Sequence, residues 1–213
     1  SLVADGTSQV NVRAVVTDVD GNPASGKRVS FSSTAGTLTA ASEYTSDTGL
    51  AEVRLRAGTK AGPVIVRAEC NGFIAEANVE FVPGQAAKIL LYAFPNLVPP
   101  NGAFQTAAMV MDENDNRISS ERLLIKIRRV NSPDIIDSAE LTPDQAEDGV
   151  YRFDWTAASD YYGNGDLEIT AEVKNGVSES VIVRIREGAI IVGSITLTAG
   201  STSLEADGNS TTS

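Results

Sequence analysis

The chain has 213 residues, a formal net charge of −11 at pH 7 and no histidine. The acidic balance argues against nucleic acids and anionic membrane surfaces as partners, because binding to both depends on Lys and Arg. A sequence without histidine excludes Ser-His-Asp and Cys-His catalysis and lacks the commonest zinc ligand, and a single cysteine, Cys70, cannot form an intrachain disulfide.

The first part of the chain alternates apolar and polar residues with a period of two. This pattern is typical of strands in antiparallel sheets that bury one face. The predicted inward-facing residues are Val10, Val12, Ala14 and Val16; Val29 and Phe31; Val53 and Leu55; Val64, Val66, Ala68 and Cys70; and Phe73, Ala75, Ala77, Val79 and Phe81. Because Cys70 continues an apolar run, we expect a buried structural thiol rather than a reactive one.

The same alternation continues in the second part of the chain. Its predicted inward-facing residues are Leu123, Ile125 and Ile127; Tyr151, Phe153 and Trp155; Leu167, Ile169, Ala171 and Val173; and Val181, Val183 and Ile185. Tight-turn sequences separate the strands, such as Asn-Gly at residues 71–72 and 175–176. Short strands at this spacing predict an all-β fold with two packed antiparallel sheets in each unit.

An internal repeat divides the chain into units. Residues 1–8 and 203–210 are identical at six of eight positions, with an offset of 203 − 1 = 202 residues, which suits two β-sandwiches of about 100 residues each. A weaker middle copy exists, because Ile89 precedes Gly102 by 13 positions, as Ile195 precedes Gly208. We therefore predict a sandwich over residues 1–83, a diverged sandwich over 84–188, and the first strand of a third repeat within 189–213.

A second landmark recurs as Asp18, Asp20 and Asn22 in the first unit and as Asp112, Asn114 and Asn116 in the second. The first copy resembles the start of a calcium loop. A helix-loop-helix calcium site needs glycine at its sixth position and glutamate at its twelfth, whereas here glycine is fourth and valine is twelfth. We therefore predict a hairpin turn capped by its own side chains.

Calcium at the junctions between units is a weaker alternative. Asp5 and Asp207 are expected near such junctions, but each is a single carboxylate rather than part of a cluster. We predict no bound metal or other cofactor, and a melting temperature that does not respond to a chelator would exclude calcium.

Several landmarks of the first unit form a recognisable set. They are the opening Ser-Leu-Val-Ala-Asp-Gly-Thr-Ser, the turn at 18–23, Val29 and Phe31, the segment Thr-Ser-Asp-Thr-Gly at 45–49, and Val64, Val66 and Ala68 after Gly62. Together they resemble the group 1 bacterial immunoglobulin-like repeat of the intimin/invasin family of surface adhesins. The second unit departs from the pattern, with Pro99, Pro100 and Asn101 where Ala-Asp would stand and Asp115 at the turn glycine.

The resemblance implies tandem immunoglobulin-like sandwiches in a bacterial cell-surface protein that is anchored in an outer membrane through other parts of the protein. It implies a stalk or spacer that holds a distal binding region away from the membrane, with neighbouring immunoglobulin-like repeats as partners. A host-cell receptor or glycan would be bound through the parent protein. No spacing singles out a catalytic pair among the carboxylates, so we predict no enzyme.

The alternative function is a repeat that itself binds a receptor or glycan. Trp155, Tyr161 and Tyr162 form the aromatic-rich patch of the sequence and are the candidate ligand-binding residues. Trp155 also continues the alternation of Tyr151 and Phe153, which favours a position in the core. Tyr161 and Tyr162 are predicted to lie in a loop.

The two ends of the repeat pattern predict self-association. The first strand of the later units begins 13 residues before their landmark glycine, and the first unit has no such segment before Gly6. The first unit should therefore expose a sheet edge. The predicted first strand of the third repeat is Ile195, Thr196, Leu197, Thr198 and Ala199. We expect that this strand can be donated head to tail to the free edge of another molecule.

Overall fold

The computed structural model describes residues 1–147, 149–157 and 165–189. The described residues are almost entirely β-structure. The strands are β1 (Leu2–Val3), β2 (Gln9–Val15), β3 (Arg28–Ser33), β4 (Thr37–Leu38), β5 (Ser42–Tyr44), β6 (Leu50–Arg56), β7 (Gly62–Cys70), β8 (Phe73–Val82), β9 (Lys88–Phe94), β10 (Leu97–Val98), β11 (Ala103–Met111), β12 (Leu123–Arg129), β13 (Ile135–Leu141), β14 (Ala146–Glu147), β15 (Val150–Thr156), β16 (Gly165–Val173) and β17 (Ser178–Ile185). A short 3-10 turn spans Pro143–Gln145. Across these described ranges, no helix is long and apolar enough to cross a bilayer.

The strands form two pairs of sheets. The first sandwich combines the sheet β1-β8-β7-β3-β5 with the sheet β2-β6-β4, and the second combines β10-β17-β16-β12-β13 with β14-β15-β11-β9. Almost all neighbouring strands are antiparallel, as the alternation predicts. The exceptions are two short parallel pairs, β1 with β8 and β10 with β17. The all-β, immunoglobulin-like sandwich predicted from the sequence is confirmed.

The core of the second sandwich is continuous between its two sheets. Ile125, Ile127, Leu167 and Ile169 are at most 1% exposed, and they pack in one cluster with the inward-facing residues of the other sheet. Tyr151 is 1% exposed and donates its hydroxyl to the Glu121 carbonyl oxygen at 2.6 Å. The fully buried phenol therefore keeps a hydrogen-bond partner, as buried polar groups generally do.

The core of the first sandwich is smaller and divided into two clusters. The predicted inward residues of its central strands are buried, including Phe31, Val53 and Leu55. Phe73 and Val10, also predicted to face inward, are instead 83% and 38% exposed, and Cys70 is only half-buried. Cys70 and Phe73 line an open groove, at the place that β9 occupies in the second sandwich and that no described strand occupies in the first.

Candidate functional site

A polar loop of the second sandwich, residues 112–116, lies at the junction with the first sandwich. The loop connects β11 to the segment before β12. Asp112 and Asn116 are only 2% and 6% exposed. Two buried polar side chains on a surface connection are unusual, because loops normally leave such groups in water. Their burial identifies the 112–116 loop as part of an interface.

The side chain of Asp112 gives the loop its shape. Its Oδ1 atom accepts hydrogen bonds from the backbone N–H groups of Asn114 and Asn116, each at 2.9 Å. Its Oδ2 atom accepts from Asn116 Nδ2, also at 2.9 Å. Asp115 has a φ of +65°, which an aspartate tolerates better than most residues other than glycine. Hydrogen bonds within the loop thus hold its conformation, separately from its contacts with the first sandwich.

The two asparagines of the loop bond across the junction to backbone atoms of the first sandwich, and one lysine of the first sandwich bonds back to the loop. Asn116 accepts from the Ala61 N–H at 2.8 Å through Oδ1 and donates to the Thr59 carbonyl at 2.9 Å through Nδ2. Asn114 Nδ2 donates to the Ala4 carbonyl at 3.2 Å. Lys60 Nζ donates to the Asn114 carbonyl at 3.3 Å. Asparagine suits this position because its amide both donates and accepts.

The connecting segment between the sandwiches is held in the same way. The Gly84 N–H donates to Asp112 Oδ2 at 2.9 Å. The Ala87 N–H donates to the Met111 carbonyl at 2.8 Å, and Asn175 Nδ2 donates to the Ala86 carbonyl at 2.7 Å. Three of the five residues between β8 and β9 are therefore bonded to the second sandwich, so the connection is not a free tether.

Asp112 is the electrostatic centre of the junction. Burial raises the pKa of Asp112, but hydrogen bonds from the Asn116 side chain, the Gly84 backbone and the backbones of Asn116 and Asn114 outweigh it. The pKa therefore lies below its ordinary value of 3.8. At the loop tip, the hydrogen bond and charge of Lys88 lower the pKa of Asp115, with a smaller contribution from Lys60. The junction is thus built for ionised carboxylates.

Acid should loosen this junction. Because the folded-state pKa of Asp112 is depressed, its ionised form stabilises the junction above about pH 4, and this contribution is lost as the pH falls through the folded-state pKa. We expect the relative orientation of the two sandwiches, measured by residual dipolar couplings, to become less defined as the pH falls through the folded-state pKa of Asp112. The Asp112→Asn variant is the control, since it should show the looser junction at neutral pH and little further change in acid.

The first sandwich carries a second copy of this loop at residues 18–22. Asp18 Oδ1 accepts from the backbone N–H groups of Asp20 and Asn22 at 3.0 and 2.9 Å, and Asp18 Oδ2 accepts from Asn22 Nδ2 at 3.3 Å. Gly21, with a φ of +85°, takes the place of Asp115. The internal bonding therefore matches that of the 112–116 loop, but Asp18, Asp20 and Asn22 are exposed.

The candidate ligand-binding residues do not form a described site. Trp155 is 7% exposed, its Nε1 donates to Thr106 Oγ1 at 3.1 Å, and its ring centroid lies 4.5 Å from that of Phe153. It is therefore a core residue whose ring faces are not open to a ligand. Tyr161 and Tyr162 lie outside the described residues, so a ligand site at that pair stays a prediction. The same holds for strand donation by Ile195, Thr196, Leu197, Thr198 and Ala199.

The carboxylate of Asp5 is engaged by its own turn. It accepts from the backbone N–H groups of Thr7 and Ser8 at 2.7 and 2.6 Å, and from Ser8 Oγ at 2.6 Å. These bonds, led by the Ser8 hydroxyl, hold the pKa of Asp5 well below its usual range. No group of three or more acidic or cysteine side chains within the described ranges could hold a metal ion. Asp207 lies outside those ranges, and calcium at the junctions stays an untested alternative.

The sequence points to Asp112 and Asn116 as landmark residues, but it does not predict that they form a junction between the sandwiches. The repeat of Asp112 and Asn116 at an offset of 112 − 18 = 94 residues was available as a signal, but it indicated only a capped turn. Two matching turns with an asparagine at the fifth position were the one hint of a shared role. The partners Thr59, Ala61 and Ala4 contribute backbone atoms. Since every residue has these atoms, the sequence does not show which of them a side chain contacts.

The two sandwiches and their connection define the class of the protein as a tandem array of immunoglobulin-like domains. Residues 1–82 match the model of the bacterial Ig-like domain, group 1. This match confirms the resemblance that the sequence landmarks of the first unit indicate. No curated protein matches the chain.

Two solved structures, one of them of an adhesin, show the same fold. The structure of InvD from Yersinia pseudotuberculosis is similar with a TM-score of 0.63 at 20% identity, over 95% of this chain and 62% of that one. The Escherichia coli adhesin FdeC is similar with a TM-score of 0.53 at 19% identity, over 86% of this chain and 61% of that one. The chain thus spans less than two thirds of these structures.

Proposed function

We propose that this segment is a spacer in the stalk of a bacterial surface adhesin of intimin/invasin type, and that it holds a distal binding region away from an outer membrane in which other parts of the protein are anchored. The domains are of a kind found in surface adhesins. The observation that carries the spacer role is the hydrogen-bonded junction around Asp112 and Asn116.

A spacer must transmit extension, and the junction has the properties that this requires. Domains within one chain are expected to move relative to each other unless their interface restrains them. Here the 112–116 loop bonds to Thr59, Ala61 and Ala4 on one side, and the connecting segment bonds to Met111 and Asn175 on the other. Rotation about the connection would break several hydrogen bonds of partly buried groups at once, which is costly.

Small-angle scattering and residual dipolar couplings on the whole chain test the spacer role. We expect one alignment tensor to fit amide couplings from both sandwiches, and a scattering profile that a single extended arrangement reproduces. Separate tensors for the two sandwiches, with a scattering profile that needs many arrangements, would show a free hinge and contradict a spacer that acts through a fixed junction.

The second candidate function is ligand binding through Tyr161 and Tyr162. It is supported by the adjacent tyrosine pair in the connection between β15 and β16. Replacing both with alanine separates the two functions. If the segment is a spacer, the double variant should bind cultured epithelial cells and a glycan array at the same level as the native chain. If it is a binding module, the double variant should lose this binding. Tyr44→Ala is the matched control, because this tyrosine is 67% exposed and lies elsewhere.

A further inference from the structure

One face of the second sandwich presents apolar side chains to water. It is the outer face of the sheet β14-β15-β11-β9, and the strand registers arrange nine of its outward positions in three rows. Each row takes one residue from β9, one from β11 and one from β15: Leu90, Met109 and Val150 nearest the connection between the sandwiches; then Tyr92, Ala107 and Arg152; and last Phe94, Gln105 and Asp154. We call these nine positions the β9 face.

The apolar part of the β9 face is substantially exposed. Phe94, Tyr92 and Leu90 are 78%, 57% and 38% exposed, and Met109 and Val150 are half-buried. An aromatic side chain offers about 150–250 Å² for burial, so the two rings alone leave roughly 250 Å² in water. Exposed apolar patches that are rimmed by polar residues commonly mark interaction sites.

The corresponding face of the first sandwich is polar. The offset of 112 − 18 = 94 residues, which relates the two capped turns, aligns Gln105 and Ala107 with Asn11 and Arg13. Asn11 and Arg13 are exposed, although the second sandwich is docked against the first. A neighbour along the chain therefore leaves this part of a sandwich uncovered, and the fold does not require apolar residues there. The apolar β9 face is a property of the second sandwich itself.

The β9 face is complementary to a second β9 face that runs in the same direction. A two-fold axis along β11 brings each row against the same row of the second copy. The row nearest the connection is apolar on all three strands, so it meets an apolar row. Tyr92 faces Arg152 of the second copy, which suits a ring and a guanidinium group. Asp154, whose Oδ1 accepts from Gln105 Nε2 at 2.8 Å, stays at the edge, where interfaces are usually polar.

Other occupants fit the β9 face less well. An antiparallel second copy would place Arg152 against Arg152, and like charges in contact repel. It would also place Asp154 against Val150, where a carboxylate loses water without gaining a partner. A sugar ring would stack on Tyr92 or Phe94, but it would leave the apolar first row in water.

The size of the β9 face indicates a weak contact. With leucine, methionine and valine added to the two rings, the apolar area is roughly half of the ~800 Å² that each partner contributes to a standard interface. We therefore expect a dimer that dissociates in dilute solution and forms where copies of the chain are concentrated.

We propose that the β9 face is the contact between two parallel copies of this chain, related by a two-fold axis along β11. Ala107 lies at the centre, where a small side chain lets the two sheets approach to the usual ~10 Å. The contact pairs a surface with itself, so it closes as a dimer and does not extend into filaments. Copies anchored at the same end also stand parallel, so the dimer agrees with the spacer role without depending on it.

Sedimentation velocity of the whole chain over a range of concentrations tests the contact. We expect the mean mass of the native chain to rise towards that of a dimer. Ala107→Glu and Ala107→Lys should each weaken association by at least about tenfold, because like charges then meet at the centre. An equimolar mixture of the two variants should associate again, which would show that both are folded and that position 107 meets itself.

A second pair of variants tests the parallel orientation. Met109 meets Met109 of the second copy in the parallel dimer, but it meets Gln105 in an antiparallel one. Met109→Glu and Met109→Lys should therefore each be monomeric and should associate when mixed. Asn11→Glu and Asn11→Lys are the matched controls, since they place the same charges on the same face of the first sandwich. We expect both controls to associate as the native chain does.

Three results would overturn the proposal. The first is a native chain that is monomeric at every concentration, including one that binds a glycan array and loses this binding in Phe94→Ala. The second is association of the Ala107 variants at the native level. The third is recovery in the mixed Ala107 pair but not in the mixed Met109 pair, which would indicate an antiparallel contact. None of these results bears on the spacer role, which is read from the orientation of the sandwiches within one molecule.

Discussion

Replacing Trp155 with alanine is expected to destabilise the second sandwich by about 3–5 kcal/mol, the usual cost of truncating a buried tryptophan. Trp155 is 7% exposed and packs against Phe153 between the two sheets of that sandwich. Its removal leaves a cavity that rigid strands on both sides cannot fill. Because the free energy of unfolding of a stable domain is commonly only about 5–15 kcal/mol, this change should be readily visible in urea unfolding.

Circular dichroism is the appropriate measurement, since Trp155 is the only tryptophan and its fluorescence disappears in the variant. Trp155→Phe is the matched control. It keeps an aromatic ring in the core but loses the hydrogen bond to Thr106, so we expect a smaller loss than for alanine. The transition of the first sandwich should be unchanged in both variants. Equal stability of Trp155→Ala and the native chain would contradict the assignment of this residue to the core.

Asn116→Ala is expected to release the two sandwiches from their fixed orientation. The change removes the bonds to the Ala61 N–H and the Thr59 carbonyl, and it leaves these two backbone groups without that partner. An unsatisfied polar group costs about 1–3 kcal/mol when it stays buried. We expect the junction to open to water instead, because that avoids the cost. The alignment tensors of the two sandwiches should then differ.

Asn22→Ala provides a control with the same chemistry. Asn22 makes the equivalent bond to Asp18 within its own loop, but it is exposed and has no described partner across a junction. We expect this variant to leave the inter-sandwich orientation unchanged. In both variants, the free energy of unfolding of each sandwich should stay within about 1 kcal/mol of its native value. Equal effects of Asn22→Ala and Asn116→Ala on orientation would mean that the loop acts through its internal shape and not through the junction.

The strands and most of the core follow from local sequence patterns. Ile125 and Ile127 are buried as their alternation predicts, because a period of two places every second side chain on one face of a strand. Phe73 shows the limit of this reasoning. It has the right period, yet it is exposed, since burial also requires an element on the other side. Alternation identifies the face of a strand but not whether anything covers it.

The junction was beyond sequence reasoning for a different reason. Asp112 and Asn116 were recognised as a repeated turn, which the internal hydrogen bonds confirm. Their partners across the junction are the backbones of Thr59, Ala61 and Ala4, and every residue has a backbone. Which backbone groups a side chain meets depends on how two complete sandwiches are placed. The strand of a third repeat after residue 188 lies outside the described residues and stays a prediction.

The matching geometry of the 18–22 and 112–116 loops has a consequence for assembly along a stalk. A unit placed ahead of the first sandwich, with the backbone arrangement of Thr59 and Ala61 at its base, would meet Asp18 and Asn22 in the conformation that Asp112 and Asn116 adopt. Each added unit would then be related to the unit before it by the same translation and the same rotation. Length would increase in equal increments, and the polarity of the chain would fix which end of every unit faces the cell.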